Sequence, residues 1–445
     1  MQSRVTVVFS AAVLVGVAAF AQQPVPAGSE FHVNTYTTDG QYRPSVASGP
    51  DGDFIVVWSS RGSSGTDTDG ESIQGQRYSP GGIPAGNEFQ VNTFTTYWQW
   101  QADIGRDAAG NFVVVWIGPN SSNADEDRND IFGQRFAANG APVGVEFPVN
   151  SYTTDYQLNP TIAVAPDGSF VVAWDGQTLP ANNIGIRAQR FAADATPLGN
   201  EFQVNTYLRN NQRFPSIAMN ADGDFIVVWE SDGSAGSDEH GESVQGQRFA
   251  ANGILLGGEF QVNSYTTDSQ YRPSVAMDTD GDFVVVWESL GSFGSDTFGK
   301  SVQGQRFAAD GTPLGSEFQV NSYTDRNQRS TAVAMASAGA FVVVWESYGS
   351  DGTDVAQESI QMRRFSSDGR PVGEDFQVNT YTPSQQWNPA VSVSPGREFV
   401  VVYQSRGDDP SNPPFGIRGQ RFEENLLFSS GLEFGDTSDW PVTVP

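Results

Sequence analysis

The feature that most constrains this chain is a unit that recurs seven times with nearly rigid internal spacing. The run Glu-Phe-x-Val-Asn places Phe at positions 31, 89, 147, 202, 260, 318 and 376, with Asp375 replacing Glu in the last. A glutamine follows each Asn by seven residues (Gln41, Gln99, Gln157, Gln212, Gln270, Gln328, Gln386). Seventeen residues after each Gln stands Trp58, Trp116, Trp174, Trp229, Trp287, Trp345 and finally Tyr403. An arginine in a Gly-Gln-Arg-Phe-like run completes the unit, at 77, 135, 190, 248, 306, 364 and 421. Pro273 to Trp287, PSVAMDTDGDFVVVW, reads as a hairpin: a small-residue strand, an Asp-Gly turn and an apolar strand. With the GQRF and EFQVN runs each unit holds four strands, a pattern that points to a β-propeller.

The ends of the array predict how it closes. It begins on a lone fourth strand, Glu30 to Asn34, and ends on a third strand, Arg418 to Phe422. Pairing them would complete the last unit and remove two raw sheet edges. The expectation is therefore an all-β, seven-bladed propeller over residues 29–422, four antiparallel strands per blade, closed by the N-terminal strand. Such a ring needs no second copy, so a monomer is expected. The second strand is apolar on both faces, as a blade sandwiched between neighbours requires. Its Trp is expected to pack between blades. The acid opening the fourth strand lies eleven residues after the third-strand Arg, as in Arg306 and Glu317. A cross-strand ion pair is expected there.

Outside the array, Arg4, the apolar run Val7 to Phe20 and Ala19-Phe20-Ala21 have the form of a secretory leader over residues 1–21. Residues 22–28 read as a short linker and 423–445 as a tail with a sorting or attachment role. No later stretch could span a membrane. Cysteine is absent, so there is neither a disulfide framework nor a thiolate site. The formal charge is −28, and Lys300 is the sole lysine. So acidic a surface would repel a phosphate backbone, which argues against nucleic acid and favours cations or neutral ligands such as glycans.

All length variation falls between Trp and Arg, in the loop joining the second and third strands, and surface loops carry function more often than scaffold does. That loop and the segment joining one blade to the next emerge on one side of the disc. The residue after the recurring Gln should sit near the channel mouth there. It varies: Tyr42, Trp100, Leu158, Arg213, Tyr271, Arg329 and Trp387. With Trp98, its aromatic and cationic members are candidates for stacking on sugar rings and bonding to sugar hydroxyls. The alternative is that they cover blade junctions.

Asp278, Asp280 and Asp282 offer oxygens at alternate positions, weakly like a Ca2+ loop, though an ordinary hairpin turn also accounts for them. Asp67, Asp69 and Glu71 in a second-to-third-strand loop are a weaker cation candidate or a solvated surface. Only His32 and His240 exist, at unrelated positions, so a Ser-His-Asp or multi-His zinc site is not expected. Paired carboxylates for a hydrolase or lyase stay open, but no acid stands apart from the repeat to nominate itself.

The unit EFQVN-x-YTT…PSVA…DGDFVVVWES…GQRFAADGTPLGS resembles a repeat of large secreted bacterial proteins that often carry RTX-type calcium nonapeptides or adhesin modules. The resemblance implies an extracellular or cell-surface bacterial protein. This chain lacks Gly-Gly-x-Gly-x-Asp nonapeptides, so their calcium role does not transfer. The expectation is a secreted binding module for a glycan or matrix polymer, with a carboxylate-dependent polysaccharide hydrolase or lyase, or a structural envelope protein, as alternatives.

Overall fold

The computed structural model describes residues 23–423, apart from 64, 68–69, 120–128, 154, 179–182, 235, 239–240, 293, 351, 355–356, 397 and 408–414. The expected leader, the tail beyond Glu423, Asp69 and His240 lie outside the described residues. The chain forms seven four-stranded antiparallel blades in a ring, a β-propeller. In the fifth blade the strands run outward from the channel as Gln270–Met277, Phe283–Leu290, Lys300–Phe307 and Phe318–Gln319. Each innermost strand touches the next, and the last, Gln386–Val393, returns to the first, Gln41–Ser48. Among the described residues no helix is long and apolar enough to cross a membrane.

Closure follows the expected route. Phe31 and His32 pair with Gly419 and Arg418, supplying the outer strand that the last blade lacks. Within the stretch expected as a linker, Val25 and Pro26 pair with Glu423 and Phe422.

Among the described residues, seven separate cores fill the seven blade junctions. The two-residue period of a strand explains this. Phe283, Val285 and Trp287 face Ile226 and Val228 of the preceding blade, whereas Val284 and Val286 face Val343 and Trp345 of the following one. All six recurring Trp side chains and Tyr403 are buried. A phenylalanine from each outer strand joins the stacked pair that opens the next blade's second strand and closes its third. Phe89 against Phe112 and Phe136 is one such trio.

Buried hydrogen bonds account for the fixed spacings. Trp58 Nε1 donates to Gln41 Oε1 at 2.8 Å, and Trp174 and Trp229 repeat the bond to Gln157 and Gln212. Gln41 pairs with Ser60, so Trp58 is its diagonal neighbour and seventeen residues is the interval that brings the two together. Asn92 accepts the Ile73 N–H, then donates to Asp67 in its own blade and to Gln99 of the next. The same triad recurs at Asn263 with Asp238 and Gln270, and at Asn379 with Asp354 and Gln386. Asp67, read from sequence as a solvated or cation-binding acid, is thus a buried strut.

In the first blade the strand register sets the third-strand Arg apart from its own blade's acid. Gln74 opposes Gln90 and Gly75 opposes Phe89, which puts Glu88 opposite Gln76, one residue before Arg77. Arg77 and Glu88 therefore point to opposite faces. Other third-strand arginines do reach this acid: Arg363 Nε lies 3.8 Å from Asp375, Arg187 Nη1 3.4 Å from Glu201 and Arg418 Nη1 2.6 Å from Glu30. The recurring Arg reaches instead to the next blade's outer turn, as Arg248 does to the Ala309 carbonyl at 2.6 Å. The acid reaches backward. Glu88, Glu146, Glu201, Glu259, Glu317 and Asp375 each accept the backbone N–H after the preceding blade's recurring Asn. Glu30 completes the circle by accepting from Thr380 N–H and Oγ1. Seven clasps of one design bind the seven blades.

Candidate functional site

The site begins with a distortion repeated in every innermost strand. Pairing with the second strand slips just after the residue that follows the recurring Gln, producing a β-bulge. The next residue sits at positive φ in all seven blades: Arg43, Gln101, Asn159, Phe214, Arg272, Ser330 and Asn388, between 46° and 55°. None is glycine, and a non-glycine residue held there costs about 1–3 kcal/mol. Proline follows in five blades, tolerable because this strand is the inner edge of its sheet. All seven bulge residues line one central cavity of about 390 Å³.

A bulge also frees a backbone N–H that needs a partner. The residue after the recurring Trp in the preceding blade supplies it. Asp175 accepts from Phe214 N at 3.1 Å, Glu230 from Arg272 N at 3.1 Å, Glu288 from Ser330 N at 2.7 Å and Glu346 from Asn388 N at 2.7 Å. In the first blade the Ser59 hydroxyl does this for Gln101. These acids lie directly across the hairpin from the variable residues: Arg213 from Glu230, Tyr271 from Glu288, Arg329 from Glu346.

Over blades four to seven the two sets build a pocket of about 550 Å³ containing Glu230, Glu288, Glu346, Lys300, Arg329, Tyr271, Phe214 and Trp387. It is continuous with the channel through Phe214, Arg272, Ser330 and Asn388. Its carboxylates differ in what they have left to offer. Glu288 gives its second oxygen to Lys300 Nζ at 2.7 Å, whose ammonium lies 4.4 Å from the Tyr271 ring centre. Glu346 gives its second oxygen to Arg329 Nε at 2.9 Å, and Arg329 also meets Glu358 at 3.3 Å. Glu230 has only the Arg272 N–H among the described residues. Burial, reinforced by the charges of Glu242 and Glu288, pushes its carboxyl up to about 7. Burial likewise raises Glu346, and it takes Asp175 to about 6. A carboxyl raised by burial towards neutral pH is the kind of group that general acid chemistry uses.

The candidates read from sequence separate here. Tyr271, Arg329 and Trp387 come together in the pocket. Trp387 continues through Phe415 (5.5 Å between ring centres) to Tyr42 (5.4 Å), an aromatic arc along the mouth into blade one. Trp100 lies under the Arg43 guanidinium at 5.1 Å. Arg213 and Trp98 are exposed and line neither the pocket nor the channel, and Trp98 lies beside Gly70 of the adjoining loop. The acids Glu230, Glu288 and Glu346 escaped the sequence reading. Their signal was present: the residue after Trp reads Ser59, Ile117, Asp175, Glu230, Glu288, Glu346 and Gln404, varying from blade to blade as its cross-strand partner does.

Asp278, Asp280 and Asp282 lie at the other end of the blade. Asp278 Oδ1 accepts the N–H groups of Asp280 and Asp282, both at 3.0 Å, and Asp282 accepts from Ala309. The carboxylates close turns, and among the described residues no group of three or more His, Cys, Asp or Glu converges as a metal site.

No known protein family and no curated protein matches the sequence. Solved structures do. A polysaccharide lyase, an ulvan lyase bound to a GlcA–Rha3S saccharide, aligns at 11% identity over 88% of this chain and 95% of its own, with a TM-score of 0.54. A protein of unknown function from Dyadobacter fermentans aligns at 11% identity over 91% and 99%, TM-score 0.51. An α-L-arabinanase of Penicillium chrysogenum aligns at 15% identity over 88% and 98%, TM-score 0.48. At such identities the likeness is one of fold.

Proposed function

We propose that this protein is an exported carbohydrate-binding propeller whose pocket over blades four to seven receives a glycan or matrix polymer. The observation that carries the reading is the make-up of that pocket: Tyr271, Trp387 and Phe214 around Glu230, Glu288, Glu346, Lys300 and Arg329. Sugars present apolar ring faces and a fringe of hydroxyls, and rings beside charged hydrogen-bonding groups suit both. The volume falls in the range of about 300–1,000 Å³ usual for small-molecule sites. The fold likeness to a lyase holding a saccharide is in keeping with this. Export by a leader over residues 1–21, a tail over 423–445 for attachment, and a place among RTX- or adhesin-associated bacterial surface proteins complete the proposal; these rest on sequence.

Titration of oligosaccharides while following tryptophan fluorescence tests it. Replacing Trp387 or Tyr271 by Ala should weaken binding about tenfold, the order expected for a lost stacking contact. Unchanged affinity in both variants would overturn the assignment.

Glu230 favours a second reading, a polysaccharide hydrolase or lyase. Its carboxyl, pushed up to about 7 and with one oxygen uncommitted among the described residues, would serve as the proton donor or acceptor. Turnover that survives Glu230→Gln would exclude that role.

A further inference from the structure

Arg43 and Arg272 stand apart from the other cations at the mouth. Lys300 and Arg329 are each tied to glutamates. Arg43, from blade one, and Arg272, from blade five, occupy the bulge positions at φ 50° and 46° and line the same 390 Å³ channel cavity. Each guanidinium lies over an aromatic ring, Arg43 over Trp100 and Arg272 over Phe214, both at 5.1 Å. Stacking occupies the flat face of a guanidinium and leaves its edge of N–H donors available. Arg43 commits one of these to Gln101 Oε1 at 3.1 Å.

Neither has a carboxylate partner at ion-pair distance among the described residues. Glu230 lies against Arg272 and spends one oxygen on its backbone N–H. Asp103, in the channel wall, spends its carboxylate on Ser45 Oγ and the N–H groups of Ile104 and Ile162. The other bulge side chains at this level, Gln101, Asn159, Phe214, Ser330 and Asn388, are uncharged. Burial makes Arg43 harder to keep protonated; the charge of Glu71 opposes this, and the charge of Arg272 adds to it more weakly. Two cations that line one cavity without an ion-pair partner, in a chain of formal charge −28, define a place suited to a bound anion.

We infer that Arg43 and Arg272 form a clamp for a carboxylate or sulfate group at the channel mouth, so that the ligand is an acidic saccharide. This rests on the carbohydrate reading above for the sugar and on the two arginines for the anion. The arginine fork matches the oxygens of either group and would confer orientation as well as affinity.

Two measurements separate the two claims. First, inorganic sulfate should raise the melting temperature of the wild-type protein and leave the Arg43→Gln/Arg272→Gln double variant unmoved. Second, calorimetric titration compares oligogalacturonides, their carboxyl-reduced counterparts and a sulfated neutral oligosaccharide. The acidic oligosaccharides should bind at least about tenfold more tightly than the reduced ones. The double variant should lose that preference, binding acidic and reduced forms equally. The stronger acidic arm identifies carboxylate or sulfate as the preferred group. Equal binding of acidic and reduced forms, or a preference that survives in the double variant, overturns the clamp and leaves the carbohydrate reading standing. A sulfate response that depends on both arginines, with no saccharide bound, upholds the clamp and overturns the carbohydrate reading. Neither side chain belongs to a blade-junction core, so both can be replaced, and melting of the anion-free variant verifies this.

Discussion

If the ring is continuous, the N-terminal strand must be worth as much as any internal outer strand, and one pair of substitutions decides this. Phe31 sits 5.4 Å from Tyr78 and 6.2 Å from Phe54 between the last blade and the first. Phe260 sits 5.6 Å from Phe307 between the fourth blade and the fifth. Each ring lies against a strand glycine: a Cβ placed on Gly419 would come within 2.5 Å of Phe31, and one on Gly246 within 3.0 Å of Phe260. The environments are equivalent although one ring lies at the start of the chain and the other in its middle. Truncating a buried Phe to Ala costs about 3–5 kcal/mol, and the partial exposure of both rings puts the expectation near 3 kcal/mol. Guanidinium unfolding of Phe31→Ala and Phe260→Ala, compared at a common slope, should return equal losses to within about 1 kcal/mol. A loss below about 1 kcal/mol for Phe31→Ala alongside about 3 for Phe260→Ala would mean that the N-terminal strand is an appendage and that the ring closes without it.

Three further outcomes follow from the buried polar groups. Trp58→Phe keeps most of the ring's bulk but leaves Gln41 Oε1 without its donor, so it should cost about 1–3 kcal/mol in the same unfolding assay. Glu230 titrates higher in the folded protein, at about 7, than the usual value of 4.5, so folding favours its neutral form. Its contribution to stability is therefore present below pH 4.5 and lost as pH rises through about 7; melting curves should show Glu230→Gln gaining on the wild type between pH 5 and 8. Asp278→Ala should lower stability by about 1–2 kcal/mol through its two lost backbone bonds, equally with and without EDTA. A chelator-dependent melt would restore calcium to that turn.

Architecture was legible because a repeat multiplies weak signals. One Gln and one Trp seventeen residues apart mean little; seven such pairs fix a hairpin, and the surplus strand at Glu30 locates the seam. What sequence could not show was direction. Arg306 and Glu317 at a fixed interval suggest a pair, but strand alternation sends them to opposite faces, and the acid holds Ser264 of the preceding blade. Asp67 looked solvated because acids in Gly-Ser loops usually are, whereas here an Asn from the outer strand draws it inside. The site was half legible. Variation after Gln exposed Tyr271, Arg329 and Trp387, while the matching variation after Trp gained its meaning once the hairpin register set the glutamates opposite.

The pairing that seals the ring has a mechanical consequence. Val25 opposes Glu423, and seven residues in from this corner His32 opposes Arg418, so the described chain enters and leaves at the same end of one antiparallel ladder. A load applied to both ends would not shear this ladder, where all bonds share the force. It would peel the strands apart one bond at a time, beginning at Val25. A load applied to one end only would place no tension across this seam.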